Sequence, residues 1–156
     1  MPDMLVRLYD LPADGPDLAR LAANNIHIRR AQAKDADALV AWVAADYPGW
    51  EAELRQGMSS NPVRCFVALD QNGDPCGFAC HDVTAPTYFG PTAVRSAFRG
   101  QNIGRALLLA ALQAIKDQGY AYAIIGGVGP AEFYEKAVDA LLIPKSTPGI
   151  YGTRQD

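Results

Sequence analysis

The chain has 156 residues, 49% hydrophobic and 20% charged, a composition that fits one folded soluble domain with a substantial core. Its formal net charge of −3 argues against a general attraction to nucleic acid or to an anionic membrane surface. No stretch reaches the length of a membrane span, and the first residues have no signal-peptide core; the three cysteines, Cys65, Cys76 and Cys80, are too few and too odd in number for a disulfide framework, so a cytoplasmic location is expected.

In chain order, Met4 to Tyr9 reads as a short strand, and Leu11 to Pro16 breaks it. Pro16 suits a helix start, so Asp17 to Ala23 is predicted helical, ending at Asn24-Asn25. Ile26 to Arg30 alternates as a strand does. Asp35 to Ala45 is a helix with Leu39, Trp42 and Val43 on one face; Tyr47-Pro48-Gly49-Trp50 interrupts it, and Glu51 to Met58 is a second short helix. Arg64 to Leu69 and Cys76 to Val83 are strands flanking an Asn72-Gly73 turn, which predicts an antiparallel hairpin. Tyr88 to Val94 is the next strand, with a bulge or kink expected at Gly90-Pro91.

Ile103 to Gln118 is the longest predicted helix, apolar around most of its circumference and therefore buried, with Gly119 at its end. Tyr120 to Ile125 is a continuous apolar strand, so strand, helix and strand here imply a parallel crossover. After Gly126 to Gly129, Pro130 opens a helix to Val138, and Leu141 to Ile143 and Ile150-Tyr151 are candidate last strands. The order predicts a single mixed α/β domain over 1–156, antiparallel in its first half, with 1–25 as an extra strand and helix that lengthen the sheet or make a dimer contact.

The turn from Arg99 to Arg105 joins the strand ending at Val94 to the apolar helix. Such a turn aims unpaired backbone N–H groups and the positive end of the helix dipole at one point, a site for a phosphate. Arg99 and Arg105 flank the expected amides, although an ordinary turn with a solvated Arg105 would read the same way. No P-loop is present, and Gly127-Val128-Gly129 lacks the third glycine of a dinucleotide fingerprint.

Arg99-Gly100-Gln101-Asn102-Ile103-Gly104-Arg105-Ala106-Leu107 resembles the pyrophosphate loop of the GCN5-related N-acetyltransferases, the GNAT superfamily, and Glu132-Phe133-Tyr134-Glu135-Lys136 resembles that family's last helix motif. Asn102 stands where the family usually has glycine, and a register starting at Gln101 would instead use Gly104 and Ala106. The resemblance implies the acyl-CoA N-acyltransferase fold and acetyl-CoA as cosubstrate. Ala93 and Val94 would pair with the pantetheine arm, and the loop of Arg99, Gly100, Gln101, Asn102, Ile103, Gly104 and Arg105 would hold the pyrophosphate. It also implies that Tyr134 protonates the departing thiolate and that a backbone N–H near Val94 stabilises the oxyanion. An ordinary phenol is protonated at neutral pH and can donate.

A base is less evident, because Tyr88 to Val94 contains no acid. Asp82 is the candidate, with His81, Asp46 or a water chain as alternatives, and Asp82 could equally cap the turn at Val83-Thr84. Cys80 and His81 are adjacent on a strand and no Cys-x-x-Cys pair exists, so no metal is expected and the cysteines read as buried structural residues. Asp46, Tyr47 and Trp50 could form an acidic, aromatic wall for an amine, or Trp50 could simply pack in the core. The expectation is acetyl transfer to a primary amine of a small molecule or peptide, with a possible homodimer; an inactive acyl-CoA-binding sensor and a nucleotide-binding regulator are the alternatives.

Overall fold

A computed structural model describes residues 1–152. Seven strands form one mixed sheet: β1 (Met4–Arg7), β2 (His27–Arg30), β3 (Cys65–Leu69), β4 (Pro75–His81), β5 (Tyr88–Val94), β6 (Tyr122–Ile125) and β7 (Leu141–Leu142). Five helices accompany them: α1 (Gly15–Ala23), α2 (Ala36–Asp46), α3 (Glu51–Ser59), α4 (Ile103–Asp117) and α5 (Ala131–Val138). Among the described residues no helix is long and apolar enough to cross a membrane.

The sheet order is β2-β3-β4-β5-β6-β1-β7. The expected hairpin of β3 and β4 is present, antiparallel, with a register shift between Ala68 and Leu69. β5 and β6 form the expected parallel pair. Rather than adding an edge, β1 lies inside the sheet, antiparallel to β6 on one side and to β7 on the other. Only the long-range fit of Met4 and Val6, both fully buried, selects that slot.

Helix α4 is apolar around most of its circumference, because it sits on the sheet and also meets α1 and α5, and only Gln113, Lys116 and Asp117 are exposed along it. Ile103, Leu107, Leu108, Leu112 and Ile115 are buried with Met4, Leu21, Ala123 and Tyr134 in one core. Each such leucine contributes about 1.5–3 kcal/mol by leaving water, so this helix dominates that layer. On the opposite face, Leu39, Trp42 and Val43 of α2 and Leu54 of α3 pack on Val67, Phe78 and Cys80. Strand β4, covered on both faces, is buried at every residue. All three cysteines are buried free thiols, as their apolar settings suggested.

Several predicted spans change, among them α1, which starts at Gly15, and β4, which ends at His81. The first strand stops at Arg7, because Leu8–Asp10 turns into a 3₁₀ segment that buries Leu8. Strand β6 starts at Tyr122. The second C-terminal strand does not form: Gly149–Tyr151 is a 3₁₀ turn after Pro148, and the Tyr151 ring packs on Gly126, where an added Cβ would lie 2.5 Å from the Tyr151 hydroxyl.

Asp3 stitches this end of the sheet together. Its buried carboxylate accepts from the Gly127 N–H at 2.9 Å, its own N–H donates to Ser146 Oγ at 2.8 Å, and its carbonyl accepts from Ile143 N–H at 2.9 Å. The Gly126–Gly129 turn is thereby fixed by the N-terminal strand.

Candidate active site

The two parallel strands stay together only briefly. β5 and β6 pair at Tyr88 with Ile124 and at Phe89 with Ile125, and then separate. The separation starts at the predicted bulge: β4 and β5 shift register between Ala79 and His81, opposite Gly90-Pro91. Gly90 has φ +113°, a backbone that a side chain would strain. From Thr92 to Val94, β5 is paired to β4, and from Gly90 onward it has no strand partner on its β6 side.

A cavity of about 550 Å³ opens into this gap. Its walls include Phe89, Pro91 and Thr92 of β5, Ile125 and the Gly126–Gly129 turn, and Tyr134 of α5. Tyr134 is 7% exposed and meets Phe89 edge-on at 6.3 Å. Its hydroxyl has no hydrogen-bond partner among the described residues, and burial pushes its pKa up to about 12. The phenol is therefore a proton donor at any physiological pH.

The loop after Val94 leads away from the same gap. The Arg95 guanidinium lies 4.4 Å from the Trp42 ring and its Nε donates to the Pro75 carbonyl at 2.9 Å, which anchors the end of β5. Ser96–Phe98 makes a 3₁₀ turn, and Gly100 and Asn102 then take left-handed backbones with φ of +87° and +67°. Asparagine is the non-glycine residue best able to adopt that conformation, which explains its presence immediately before α4. Among the described residues, the backbone N–H groups from Gly100 to Arg105 find no acceptor within the protein. They sit at the N-terminus of a 15-residue helix, where the dipole favours an anion. Gly104 faces Val94 and Phe133, so helix, strand end and α5 meet there.

The two arginines part company. Arg99 remains exposed beside the loop, its Nε donating to the Val94 carbonyl at 3.2 Å. Arg105 turns away and pairs with Asp17 of α1, a carboxylate 2% exposed that also accepts from Arg20 at 2.6 Å. Arg105 therefore offers the loop its backbone N–H, and its guanidinium does not flank the amides as expected.

Asp82 does not line the cavity. It sits at φ +57° in the turn after β4, where its carboxylate accepts from His81 Nδ1 at 2.6 Å, the Thr87 N–H at 2.6 Å and Gln118 Nε2 at 2.9 Å. Burial works to raise its pKa, but these hydrogen bonds outweigh it and hold the acid at about 2. Such a carboxylate is a weak base and a strong turn lock. Because its folded pKa lies below the unfolded value of 3.8, its contribution is present above that pH and disappears as the pH falls through about 2. Asp82→Asn is expected to remove about 2 kcal/mol at pH 7 and almost nothing at pH 2, read from urea unfolding at both pH values.

Asp46 is also engaged, accepting from Trp42 Nε1 at 2.9 Å. Tyr47 and Trp50 stack at 4.9 Å, and Trp50 reaches the cavity edge. Three residues that the sequence reading passed over complete the wall: Glu53 of α3, Thr84 and Tyr151. The signal for Glu53 was helical spacing, since it follows Trp50 by three and precedes the buried Gly57 by four, on the face that looks inward. Nothing local marks Thr84 or Tyr151. Among the described residues no group of three or more His, Cys, Asp or Glu side chains is placed to hold a metal ion.

A family model described as an acetyltransferase (GNAT) domain matches residues 61–137, which span β3 to α5. Among solved structures, a GCN5-related glucosamine N-acetyltransferase region of a fungal multi-domain β-N-acetylglucosaminidase aligns with TM-score 0.75 at 16% identity, covering 91% of this chain and 19% of that one. A GCN5-related N-acetyltransferase from Sphaerobacter thermophilus aligns at 0.66 with 18% identity over 91% of this chain and 48% of that one. A GNAT family acetyltransferase from Brucella melitensis, solved with acetyl-CoA, aligns at 0.56 with 17% identity over 77% of this chain and 88% of that one. The chain thus spans less than half the length of the first two. No curated protein matches the sequence. Residues 61–137, just under half of the chain, match the GNAT domain model, and the chain shares the fold of GNAT acetyltransferases.

Proposed function

We propose that this protein is an N-acetyltransferase that moves the acetyl group of acetyl-CoA to a primary amine of a small molecule or peptide by direct attack. The observation that carries this reading is that β5 leads from the cavity it shares with Tyr134, along its unpaired side at Ala93 and Val94, to the loop whose Gly100 to Arg105 amides find no acceptor among the described residues. The amides suit a pyrophosphate, and the free side of β5 at Ala93 and Val94 suits an amide-bearing arm that pairs as a strand does. The Brucella melitensis structure that shares the fold holds acetyl-CoA, which supports the choice of ligand.

The amine nitrogen attacks the thioester carbonyl, a carbon–nitrogen bond forms, and the carbon–sulfur bond breaks. Tyr134 donates a hydrogen bond to the departing sulfur, which takes its proton from the new ammonium nitrogen through cavity water. With Asp82 spent on its turn, the acceptor loses its first proton through water in the open cavity. A cytoplasmic, homodimeric enzyme fits this reading, and light scattering tests the oligomeric state.

Calorimetric titration with acetyl-CoA, followed by amine-dependent release of free thiol, tests the proposal. A folded protein that gives no heat with acetyl-CoA overturns it. Binding without thiol release from any amine supports a catalytically silent acyl-CoA sensor instead. Arg99→Ala is expected to weaken acetyl-CoA binding about tenfold, the size of one charge-assisted phosphate contact. Unchanged affinity removes Arg99 from the phosphate site.

A further inference from the structure

The turn from Pro148 to Gly152 is built onto the cavity. Pro148 and Tyr151 line the cavity, and the Gly152 N–H closes the turn on the Gly149 carbonyl at 3.1 Å. Gly149 takes a left-handed backbone with φ +64°, and a Cβ on it would lie 3.0 Å from Asp3 Oδ2. The carboxylate that fixes the Gly126–Gly129 turn thus also packs against this one. Burial of the Tyr151 hydroxyl raises its pKa, and the Thr84 side chain beside it works the other way. Thr84 in turn donates to Glu53 Oε2, so Tyr151 adjoins a group tied to α3.

Gly126 is the counterpart of the ring. Its φ lies outside the left-handed region, so its backbone does not by itself require glycine. Space requires it: a Cβ there would lie 2.5 Å from the Tyr151 hydroxyl oxygen, 2.8 Å from Cε2 and 3.0 Å from Cζ. Tyr151 is 47% exposed, so it stands at the cavity mouth with its hydroxyl end seated on the Gly126 backbone. The ring cannot retreat from a molecule in the cavity toward Gly126, because it already touches that backbone and Asp3 holds both turns.

We propose that Tyr151 is a specificity-determining residue: its ring, seated on Gly126, limits the width of the acceptor, so that the cavity takes a slender primary amine and turns away a bulkier one of the same charge. For the reaction this rests on the acetyl-transfer reading above; the size limit rests on the contact of Tyr151 with Gly126. In that reading the cosubstrate arm enters beside Val94, which leaves the end of the cavity walled by Trp50 and Tyr151 for the acceptor. A rigid wall discriminates by shape, and a clash of one bulky substituent is enough for a tenfold or larger preference.

The test uses the full chain, Tyr151→Ala, Tyr151→Phe, Gly126→Ala and the Gly126→Ala/Tyr151→Ala pair. The probes are 2-phenylethylamine and 2,2-diphenylethylamine, which carry the same ammonium group and differ by one ring. Thermal melting and the acetyl-CoA titration verify that each variant folds. In the parent chain, kcat/KM for 2-phenylethylamine is expected to exceed that for 2,2-diphenylethylamine by about tenfold or more. Tyr151→Ala reduces this preference about tenfold, and Tyr151→Phe, which keeps the ring, retains it. Gly126→Ala displaces the ring and reduces the preference in the same sense, but adds nothing once Tyr151 is alanine. A parent chain without the preference, or a preference that survives Tyr151→Ala, overturns the size limit. Its loss in Tyr151→Phe overturns the role of the ring, and additive effects of the two alanine changes overturn the seat on Gly126. Where Gly126→Ala does not fold, the two Tyr151 variants decide.

The two readings fail separately. If acetyl-CoA does not bind, the transfer reading ends, and calorimetry of the two amines alone decides the size limit: about tenfold tighter binding of 2-phenylethylamine, lost in Tyr151→Ala, upholds it, and equal or absent binding overturns it. If acetyl-CoA binds and both amines release thiol with equal kcat/KM, the transfer reading stands and the role of Tyr151 falls.

Discussion

Tyr134→Phe is expected to lower kcat about 10–150-fold, the value of a hydrogen bond to a developing charge of about 1.5–3 kcal/mol. Acetyl-CoA affinity should hardly move, because phenylalanine keeps the ring against Phe89 and the first core. Two pKa values set the size of the effect. The departing thiol has a pKa near ~8.5. The buried phenol stands at about 12, so it stays protonated throughout and offers its O–H to the sulfur as negative charge develops there. The same pKa fixes the pH dependence. An ordinary tyrosine would lose its proton near pH 10.0, whereas this one keeps it until about 12. The kcat profile should therefore show no alkaline limb at the usual tyrosine pKa. Steady-state kinetics across pH 6–10, with about one-unit steps, check both points. Full turnover in the phenylalanine variant with a good amine removes Tyr134 from the chemistry.

Asn102 carries the second large effect. Its φ of +67° and ψ of +21° place it in the left-handed region immediately before α4, among the amides that face away from the protein. A β-branched residue there costs about 1–2 kcal/mol more than one that accepts the conformation. If the loop must hold that shape to bind, Asn102→Val weakens acetyl-CoA binding about 5–30-fold. Asn102→Gly, which takes the same backbone freely, keeps affinity within about threefold. Calorimetry on the two variants gives the answer directly. Equal loss in both would mean that the asparagine amide group, and not the backbone, does the binding.

These two residues also show what local sequence can reveal. The Arg99–Leu107 stretch follows a strand and opens an apolar helix, so its N–H groups were bound to converge whatever the rest of the chain did. Tyr134 lies one residue after Phe133 in a short helix whose start Pro130 marked. Asp82 and Arg105 misled the reading for one shared reason. Each is a charged side chain with one partner in a distant segment: Gln118 lies 36 positions from Asp82, which also holds its near neighbours His81 and Thr87, and Asp17 lies 88 positions from Arg105. No window of sequence shows that such a group is already satisfied. Glu53 erred in the other direction. It looks like one more exposed helix carboxylate until Thr84, 31 positions away, and Tyr151 close the wall around it.

By itself the sequence determined the elements that rest on short-range periodicity and turn chemistry: the β3–β4 hairpin, the kink at Gly90-Pro91, the strand, loop and buried helix from Tyr88 to Asp117, and the aromatic helix that carries Tyr134. Only the tertiary structure decided that β1 enters the sheet between β6 and β7, where Asp3 fixes the Gly126–Gly129 turn. Only it decided that β5 and β6 part after Phe89 and leave a cavity, and which of the charged side chains face that cavity. The physical reason is the range of the forces. Backbone preferences and amphipathic spacing act within a few residues, whereas strand order, strand separation and the pairing of buried charges are set by contacts between segments far apart in the chain.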